Sequence, residues 1–237
     1  MSYTIQSLVA TRAFLSILFF IIFTGYCKEA SAASDCDTGE RASYSGQFQL
    51  AINALSTCLE SSDLNDVNRV RLLEIRAWSN FSLRHALAAV SDQEAAFKIK
   101  APTEYREFIN YSSYLRRVER YDDSLLALRS AEKFDQKNSQ VSMMTQYNLG
   151  WTLFKLGRYE EAVEAFNRGI PQQPDYPFVY WRRGLALEAL GRKEDARKDF
   201  ETSAILIVTA KIKPTEESLA PIRPKLRQYG LDTKYIF

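Results

Sequence analysis

Small and apolar residues in the second half of the chain recur with a spacing of 34 positions. The matched pairs are Gly150 and Gly184, Leu153 and Leu187, Gly157 and Gly191, Ala162 and Ala196, and Phe166 and Phe200. Five matches at one spacing indicate an internal repeat, and this period is typical of a unit that contains two helices. Because one such unit cannot bury its own apolar face, neighbouring units must stack against each other. The pattern therefore predicts an all-α solenoid.

The two copies, residues 143–176 and 177–210, resemble the tetratricopeptide repeat (TPR). The resemblance is carried by small, apolar and turn residues of the first copy: Leu149, Gly150, Leu153, Gly157, Tyr159, Ala162, Phe166 and Pro174. It implies a right-handed α-solenoid of helix-turn-helix repeats, with small residues such as Gly150 where the two helices cross. Gly157 would end the first helix, since glycine adopts a left-handed backbone without a side-chain penalty.

Weaker copies of the pattern precede this pair, and together the four copies form a predicted array over residues 70–210. Residues 70–103 and 105–138 fit the repeat by frame and by apolar positions. Arg84 and Glu119 stand where the turn glycine is expected. The loss of that glycine makes these two copies divergent members of the array.

The array is expected to begin with a half-repeat and to end with a cap. Residues 46–60 fit the second helix of a repeat, but the segment ahead of them is short, polar and interrupted by Gly39. No first helix is therefore predicted within residues 33–69. After the array, residues 214–237 predict an amphipathic helix that covers the last apolar face, as a solenoid needs for solubility.

The first residues predict a secretory signal peptide. An apolar run over residues 13–26 follows Arg12 and precedes Ala30-Ser31-Ala32, which has the small-x-small spacing of a cleavage site. Residues 1–32 would then be removed, leaving no stable membrane span in an exported protein. Attachment of a lipid at Cys27 and retention of the run as a membrane anchor are the alternatives. A likeness to exported bacterial TPR proteins indicates the periplasm if the source is bacterial, and secretion otherwise.

Two cysteines remain after residue 32, Cys36 and Cys58. In an exported protein such an even pair predicts a disulfide, because oxidising compartments favour its formation. The alternative is that Cys58 fills a small packed position of a helix as a thiol.

The composition and motifs exclude several classes of function. The formal net charge is +2, without the concentrated basic face that nucleic-acid binding requires. His85 is the only histidine, and it is expected to be structural. The chain has no HExxH sequence, no phosphate-binding glycine loop and no nucleophile elbow. We therefore predict no enzyme activity, no metal site and no cofactor.

The resemblance also implies where a partner would bind. In TPR proteins, positions 2, 5, 9, 12 and 13 of each first helix line a concave groove. The groove residues assigned in this way are Arg71, Trp78, Phe81, Arg106, Arg116, Arg117, Tyr147, Trp151, Phe154, Phe178 and Trp181. The family's carboxylate clamp is not predicted, because no repeat has a basic residue at position 5 and asparagine at position 9. The alternative reading of the aromatic residues is packing between helices.

These observations predict a protein-interaction module whose aromatic groove holds an extended or helical segment of another protein. Aromatic anchors are what binding hot spots use, which favours a groove over simple packing. The alternative is a carrier that holds an apolar small molecule or a lipid in the same groove. The partner, the pathway and the oligomeric state have no signature in the sequence.

Overall fold

The structure is a computed structural model that describes residues 35–61, 63–137, 141–209 and 215–231, and every regular element in these ranges is a helix. The chain divides into two compact units, Met1–Ala101 and Pro102–Phe237. The predicted signal peptide, residues 1–32, and Cys27 lie outside the described residues. Within those residues, none of the helices combines the length and the apolar character that a membrane crossing requires.

The first unit contains four described helices. They are α1 (35–44), α2 (Phe48–Leu59), α3 (Asp66–Ser82) and α4 (Ala86–Ile99). The first helix corrects the sequence prediction, which placed no helix ahead of Gly46. Gly39 lies within α1 and does not interrupt it. It is the small residue at the point where α1 crosses α2. A Cβ atom at Gly39 would come within 2.6 Å of Leu55 Cγ, so only glycine fits this crossing.

A disulfide joins Cys36 of α1 to Cys58 of α2, as predicted, with the two Cα atoms 5.1 Å apart. Cys58 is fully buried in a small core with Leu55 and Leu72. The bridge therefore ties α1 to the helix against which it packs. Closing a loop of this size stabilises a protein by about 3 kcal/mol in the chain-entropy model.

In its described residues, the second unit contains three helical hairpins and a C-terminal cap. The helices are α5 (Tyr105–Arg117), α6 (Tyr121–Lys137), α7 (Met143–Lys155), α8 (Tyr159–Gly169), α9 (Pro177–Ala189), α10 (Lys193–Thr209), α11 (Glu216–Leu219) and α12 (Ile222–Gln228). A short 3-10 helix, Ile170–Gln172, follows α8. The first helices of the hairpins, α5, α7 and α9, contact one another in order. This arrangement confirms the predicted fold class of stacked helix-turn-helix repeats.

At two helix crossings, a repeat-position glycine lies against a buried aromatic ring. In the hairpin of α9 and α10, a Cβ atom at Gly184 would lie 2.7 Å from the ring of Phe200. In the preceding hairpin, a Cβ atom at Gly150 would lie 2.6 Å from the ring of Phe166. Both phenylalanine rings are fully buried. The glycines thus let large aromatic side chains fill the space between paired helices.

The turns within the hairpins all use a left-handed residue. Gly157 and Gly191 have φ values of 74° and 76°, and the two predicted substitutes, Arg84 and Glu119, have 66° and 62°. The hydrogen bond that closes the turn is also kept. In the turn at Glu119, the Arg120 N–H donates to the Leu115 carbonyl oxygen at 2.9 Å. The turn geometry is therefore kept where the glycine is lost.

We expect Glu119→Gly to raise the free energy of unfolding by about 0.5–1 kcal/mol, because glycine removes the steric cost of a positive φ. Glu119 is exposed, so little packing is lost with its side chain. Gly157→Ala is the matched reverse change, since a Cβ there meets nothing within 4 Å. It should destabilise by a similar amount. Chemical denaturation of both variants would contradict this account if neither changed stability.

Two hairpins contain a buried arginine–aspartate pair at the same repeat positions. Arg183 of α9 donates from Nε and Nη2 to Asp199 of α10, at 2.8 and 2.7 Å. Arg76 of α3 makes the same paired contact with Asp92 of α4, at 3.0 and 2.6 Å. Both carboxylates are buried, so each pair fixes its two helices through directional hydrogen bonds.

The C-terminal helix α12 covers the last hairpin, as predicted for a cap. Tyr229, directly after α12, packs on Phe200 with ring centroids 5.0 Å apart. Its hydroxyl donates to Glu188 of α9 at 2.8 Å, and Lys225 donates to the same carboxylate at 2.8 Å. Burial and the hydrogen bond to Glu188 raise the pKa of Tyr229 to about 12. The Glu188 carboxylate therefore accepts its hydrogen bonds from residues of the cap.

Candidate functional site

The first helix of each hairpin carries the residues that the sequence assigned to a groove. In the first unit, Trp78 of α3 is 48% exposed, and its ring lies 6.3 Å from that of Phe81. Trp78 also lines an open cavity of about 420 Å³ with Tyr44 and Phe48. Arg71 forms an ion pair with Glu40 of α1. The first unit therefore has a small exposed aromatic patch whose nearby arginine is already paired.

The second unit brings together a larger set of aromatic residues, which we call the aromatic face. Its members are Tyr147, Trp151, Phe154, Tyr176 and Phe178. Three of them share one side of α7, because residues separated by three or four positions are neighbours on a helix. The Trp151 and Phe154 rings stack with centroids 5.0 Å apart and planes 9° from parallel. Both rings are partly exposed.

Tyr147 links the stacked pair to the start of α9. Its ring meets the edge of Tyr176 with centroids 5.3 Å apart, and Tyr176 in turn contacts Phe178 at 5.5 Å. Burial raises the pKa of Tyr176 well above its ordinary value, and the hydrogen bond with Tyr147 acts in the same direction. Tyr147 itself is only 8% exposed. Tyr147 is therefore a buried member of the aromatic face, whereas Trp151 and Phe154 form its accessible part.

Arg182 of α9 lies against the aromatic face, although its repeat position is not among those assigned to the groove. Its guanidinium carbon is 3.7 Å from the centroid of the Trp151 ring and 4.9 Å from that of Tyr147. Its Nε donates to the Tyr147 hydroxyl at 2.5 Å. The Nη1 atom is buried and has no hydrogen-bond partner within the described part of the chain.

Arg116 of α5 contacts α7 at residues that adjoin Tyr147 and Trp151 in the sequence. It donates to Asn148 Oδ1 at 2.9 Å, to Thr152 Oγ1 at 3.2 Å and to Ser113 Oγ at 3.3 Å. Burial, together with the smaller effect of the positive charge of Arg182, lowers the pKa of Arg116 to about 9. The guanidinium still carries its charge at neutral pH. The site therefore combines exposed aromatic rings with two positive charges.

Other predicted groove residues do not join the aromatic face. Trp181 is a correction: it is 7% exposed and packs on Phe200 at 5.0 Å, in the core that the C-terminal cap encloses. Of the three arginines assigned to the groove on α5, Arg106 and Arg117 are exposed, and Arg116 contacts α7. The aromatic face is therefore centred on α7, with α9 and α5 on its two sides.

The missed residue, Arg182, had no clear signal in the sequence. It is the sixth residue of its repeat, which is not one of the positions assigned to the groove. It joins the site through contacts with residues of α7, which the repeat frame alone does not predict.

The described residues contain no group of three histidine, cysteine, aspartate or glutamate side chains placed to hold a metal ion. His85 lies exposed at the start of α4. The chemistry that the aromatic face offers is recognition, through stacking, cation–π contact and charged hydrogen-bond donors.

Two family models match the chain in this region. One, described as TPR repeat, matches residues 146–191, and another, described as Tetratricopeptide repeat, matches residues 179–204. A curated relative, an uncharacterized protein of Methanocaldococcus jannaschii, is 39% identical over 54 residues. This alignment spans 23% of the present chain and 63% of the relative, less than two thirds of its length.

Solved structures of MamA proteins share the fold. A crystal structure of MamA protein superposes with a TM-score of 0.62 at 21% identity, over 81% of this chain and 94% of that one. MamA from Desulfovibrio magneticus RS-1, residue 41 to the end, gives a TM-score of 0.64 at 14% identity, over 77% and 98% of the two chains. At these identities the comparison concerns the arrangement of helices alone.

Proposed function

We propose that this chain, a tetratricopeptide-repeat protein, is a scaffold that binds another protein through the aromatic face of its second unit. Proteins with these repeats are interaction modules, and the fold of the chain is that of such modules. The bound element would be an extended or helical segment of the partner, laid along α7.

The observation that carries this proposal is the stacked pair of Trp151 and Phe154. Both rings are partly exposed, although a helix in a packed hairpin could have buried them. The guanidinium of Arg182 holds the Trp151 ring in place from one side. Tryptophan, tyrosine and arginine are the residues enriched in binding hot spots, and rigid rings lose little conformational freedom when a partner binds.

The charges favour a protein segment over an apolar cargo. A carrier of a lipid tail or an apolar small molecule would bury Arg116 and Arg182 further against a ligand that cannot pair with them. Burying an unpaired charge is costly. A peptide can instead present an apolar side chain to Trp151 and a polar or acidic group to the arginines. The aromatic face therefore suits a mixed ligand.

We expect Trp151→Ala to weaken binding of peptides selected on the purified protein from a random display library by about 30-fold or more, a hot-spot loss of about 2 kcal/mol. Fluorescence anisotropy with a labelled selected peptide measures the affinity. Leu126→Ala is the matched control, because Leu126 is 67% exposed on α6 of the same unit. Equal affinity of the two variants would contradict the assignment of the binding site to the aromatic face.

We further propose that the protein is exported. The apolar run over residues 13–26 and the bridge between Cys36 and Cys58 support this, since disulfides persist in oxidising compartments. Intact mass spectrometry of the protein recovered from producing cells should give a chain that begins at Ala33 or Ser34, with both cysteines oxidised. A lipid on Cys27, or free thiols, would contradict this proposal.

A further inference from the structure

The open cavity of the first unit combines aromatic rings with one carboxylate. It lies between α1, the start of α2 and α3, and its walls include Tyr44, Phe48, Glu74 and Trp78. Tyr44 is 81% exposed and Trp78 is 48% exposed, so both rings are open to a ligand. Glu74 is the only acidic or basic residue that lines the cavity.

The carboxylate and the tryptophan share one side of α3, because four positions separate Glu74 from Trp78. Arg71, one turn before Glu74, forms its ion pair with Glu40 of α1 instead. The Glu74 carboxylate accepts a hydrogen bond from the neutral amide of Gln93 at 3.4 Å. Glu74 therefore places a negative charge beside the exposed indole of Trp78.

The second unit shows what these two repeat positions can hold. Glu74 and Trp78 are the fifth and ninth residues of their repeat, the positions of Tyr147 and Trp151 in theirs. In the second unit, Nε of Arg182 donates to the Tyr147 hydroxyl, and the guanidinium carbon lies 3.7 Å from the centroid of the Trp151 ring. The fifth and ninth positions thus hold a guanidinium between an oxygen acceptor and an indole ring.

The first unit has the acceptor and the ring but does not supply the guanidinium. The Trp78 ring contacts that of Phe81, with centroids 6.3 Å apart, and no arginine or lysine of the described residues stacks on it. Glu74 is also a stronger acceptor than the Tyr147 hydroxyl, because hydrogen bonds to an ionised carboxylate are stronger than those to a neutral oxygen. The cavity is therefore suited to a cation from outside the chain.

We propose that this cavity binds the guanidinium of an arginine side chain from a partner protein. The inference goes beyond the proposed function, because it adds a second binding site, in the first unit, with a charge opposite to that of the aromatic face. The Glu74 carboxylate accepts two N–H groups of the guanidinium, and the guanidinium plane stacks on the Trp78 ring. Tyr44 and Phe48 contact the aliphatic part of the arginine side chain.

A guanidinium fits this cavity better than an ammonium group does. It is planar, so it can stack on an indole and present paired donors to a carboxylate at the same time, and it is more weakly hydrated. The exposed side of Tyr44 favours a protein as the source of the guanidinium, since a polypeptide segment can cover the ring next to the bound side chain. Arginine, tyrosine and tryptophan are also the residues enriched in binding hot spots.

The first experiment uses N-acetyl-arginine amide as the probe, because the guanidinium is its only charged group. The indole N–H signals of the three tryptophans in ¹⁵N-labelled protein are followed by NMR during a titration. We expect saturable shifts of the Trp78 indole signal and of the Gly46 amide signal, since both residues line the cavity. The Trp151 signal should not shift, because Arg182 already lies on its ring. N-acetyl-citrulline amide, the neutral analogue, should cause no shift.

The absence of a Trp78 shift with the arginine probe, or an equal shift with the citrulline probe, would overturn the proposal.

Three variants test the roles of the carboxylate and the ring, with the Gly46 amide signal as the readout. We expect Glu74→Gln and Trp78→Leu to weaken probe binding about fivefold or more, whereas Trp78→Phe keeps part of the affinity because phenylalanine retains a π face. Glu60→Gln, which changes an exposed acid of the same unit, is the matched control and should bind the probe as the parent protein does. Equal affinities of Glu74→Gln and Glu60→Gln would contradict the assignment.

Peptide selection tests whether a protein segment can supply the guanidinium. Peptides from a random display library are selected on the parent protein in the presence of excess soluble Glu74→Gln variant, which removes peptides that do not need the carboxylate. We expect the recovered peptides to share an arginine. Its replacement by citrulline should weaken binding to the parent protein about tenfold and have little effect on binding to Glu74→Gln. Recovered peptides that tolerate the replacement would overturn the proposal. Binding of the arginine probe without any Glu74-dependent peptide would overturn a partner protein as the source.

Discussion

Arg183→Ala is expected to lower the free energy of unfolding by about 3 kcal/mol or more. The change leaves Asp199, which is 5% exposed, as a buried carboxylate without its cation. Burial already raises the pKa of Asp199 in spite of the hydrogen bonds from Arg183. Without the arginine, the neutral form of the Asp199 carboxyl is favoured further. The loss of unfolding free energy should therefore be smaller at about pH 4 than at pH 7. Urea denaturation at the two pH values measures both effects.

The chain supplies its own control for this prediction. The preceding repeat has Leu149 and Ala165 at the positions of Arg183 and Asp199, and both are fully buried. The double variant Arg183→Leu, Asp199→Ala copies that apolar solution. Since apolar replacements of buried ion pairs are often neutral or stabilising, it should lie within about 1 kcal/mol of the parent protein. A double variant as unstable as Arg183→Ala would show that the loss does not come from the unpaired carboxylate.

Gly150→Leu is expected to destabilise the second unit by about 3 kcal/mol or more. A Cβ atom at this position already falls 2.6–2.8 Å from three atoms of the Phe166 ring. The ring is fully buried, so the crossing of α7 and α8 cannot open without losing core contacts. Thermal unfolding followed by circular dichroism measures the effect. An unchanged melting temperature would mean that this crossing is not present in solution.

A double-mutant cycle identifies the cause of that loss. Gly150→Ala places only the Cβ atom at the crossing, and Phe166→Leu removes the ring atoms that it would meet. We expect Gly150→Ala to cost less in the Phe166→Leu background than in the parent protein, because residues in contact are energetically coupled. Gly157→Leu separates steric from backbone effects. Its Cβ meets nothing within 4 Å, so only the cost of the positive φ should remain.

The fold could be predicted from the sequence because its repeat positions have simple steric causes. A glycine at 150 and 184 is needed where an aromatic ring fills the crossing, and the same spacing identified the later hairpins. Helix α1 was not predicted, although its glycine has the same steric cause. Gly39 is small because α1 crosses α2 there, but an isolated glycine in a polar segment also reads as a helix breaker. The structure distinguishes the two because it places Leu55 against Gly39.

The candidate site was less predictable, because a helix position does not determine which neighbour a side chain meets. Trp151 and Trp181 were assigned alike from their frame, yet Trp181 is covered once the C-terminal cap packs against Phe200. Arg182 lay outside the assigned positions and became part of the site only through contacts between α7 and α9. Such contacts depend on the packing of neighbouring repeats.

Photo-crosslinking tests most directly whether a partner lies on the aromatic face. A selected peptide, with its apolar anchor replaced by benzoyl-phenylalanine, is irradiated with the protein, and the attached residues are mapped by mass spectrometry. We expect attachment on α7, at or beside Trp151 and Phe154, and its loss in the presence of excess unlabelled peptide. Attachment confined to the second helices, α8 and α10, with none on α7, would contradict binding at the aromatic face.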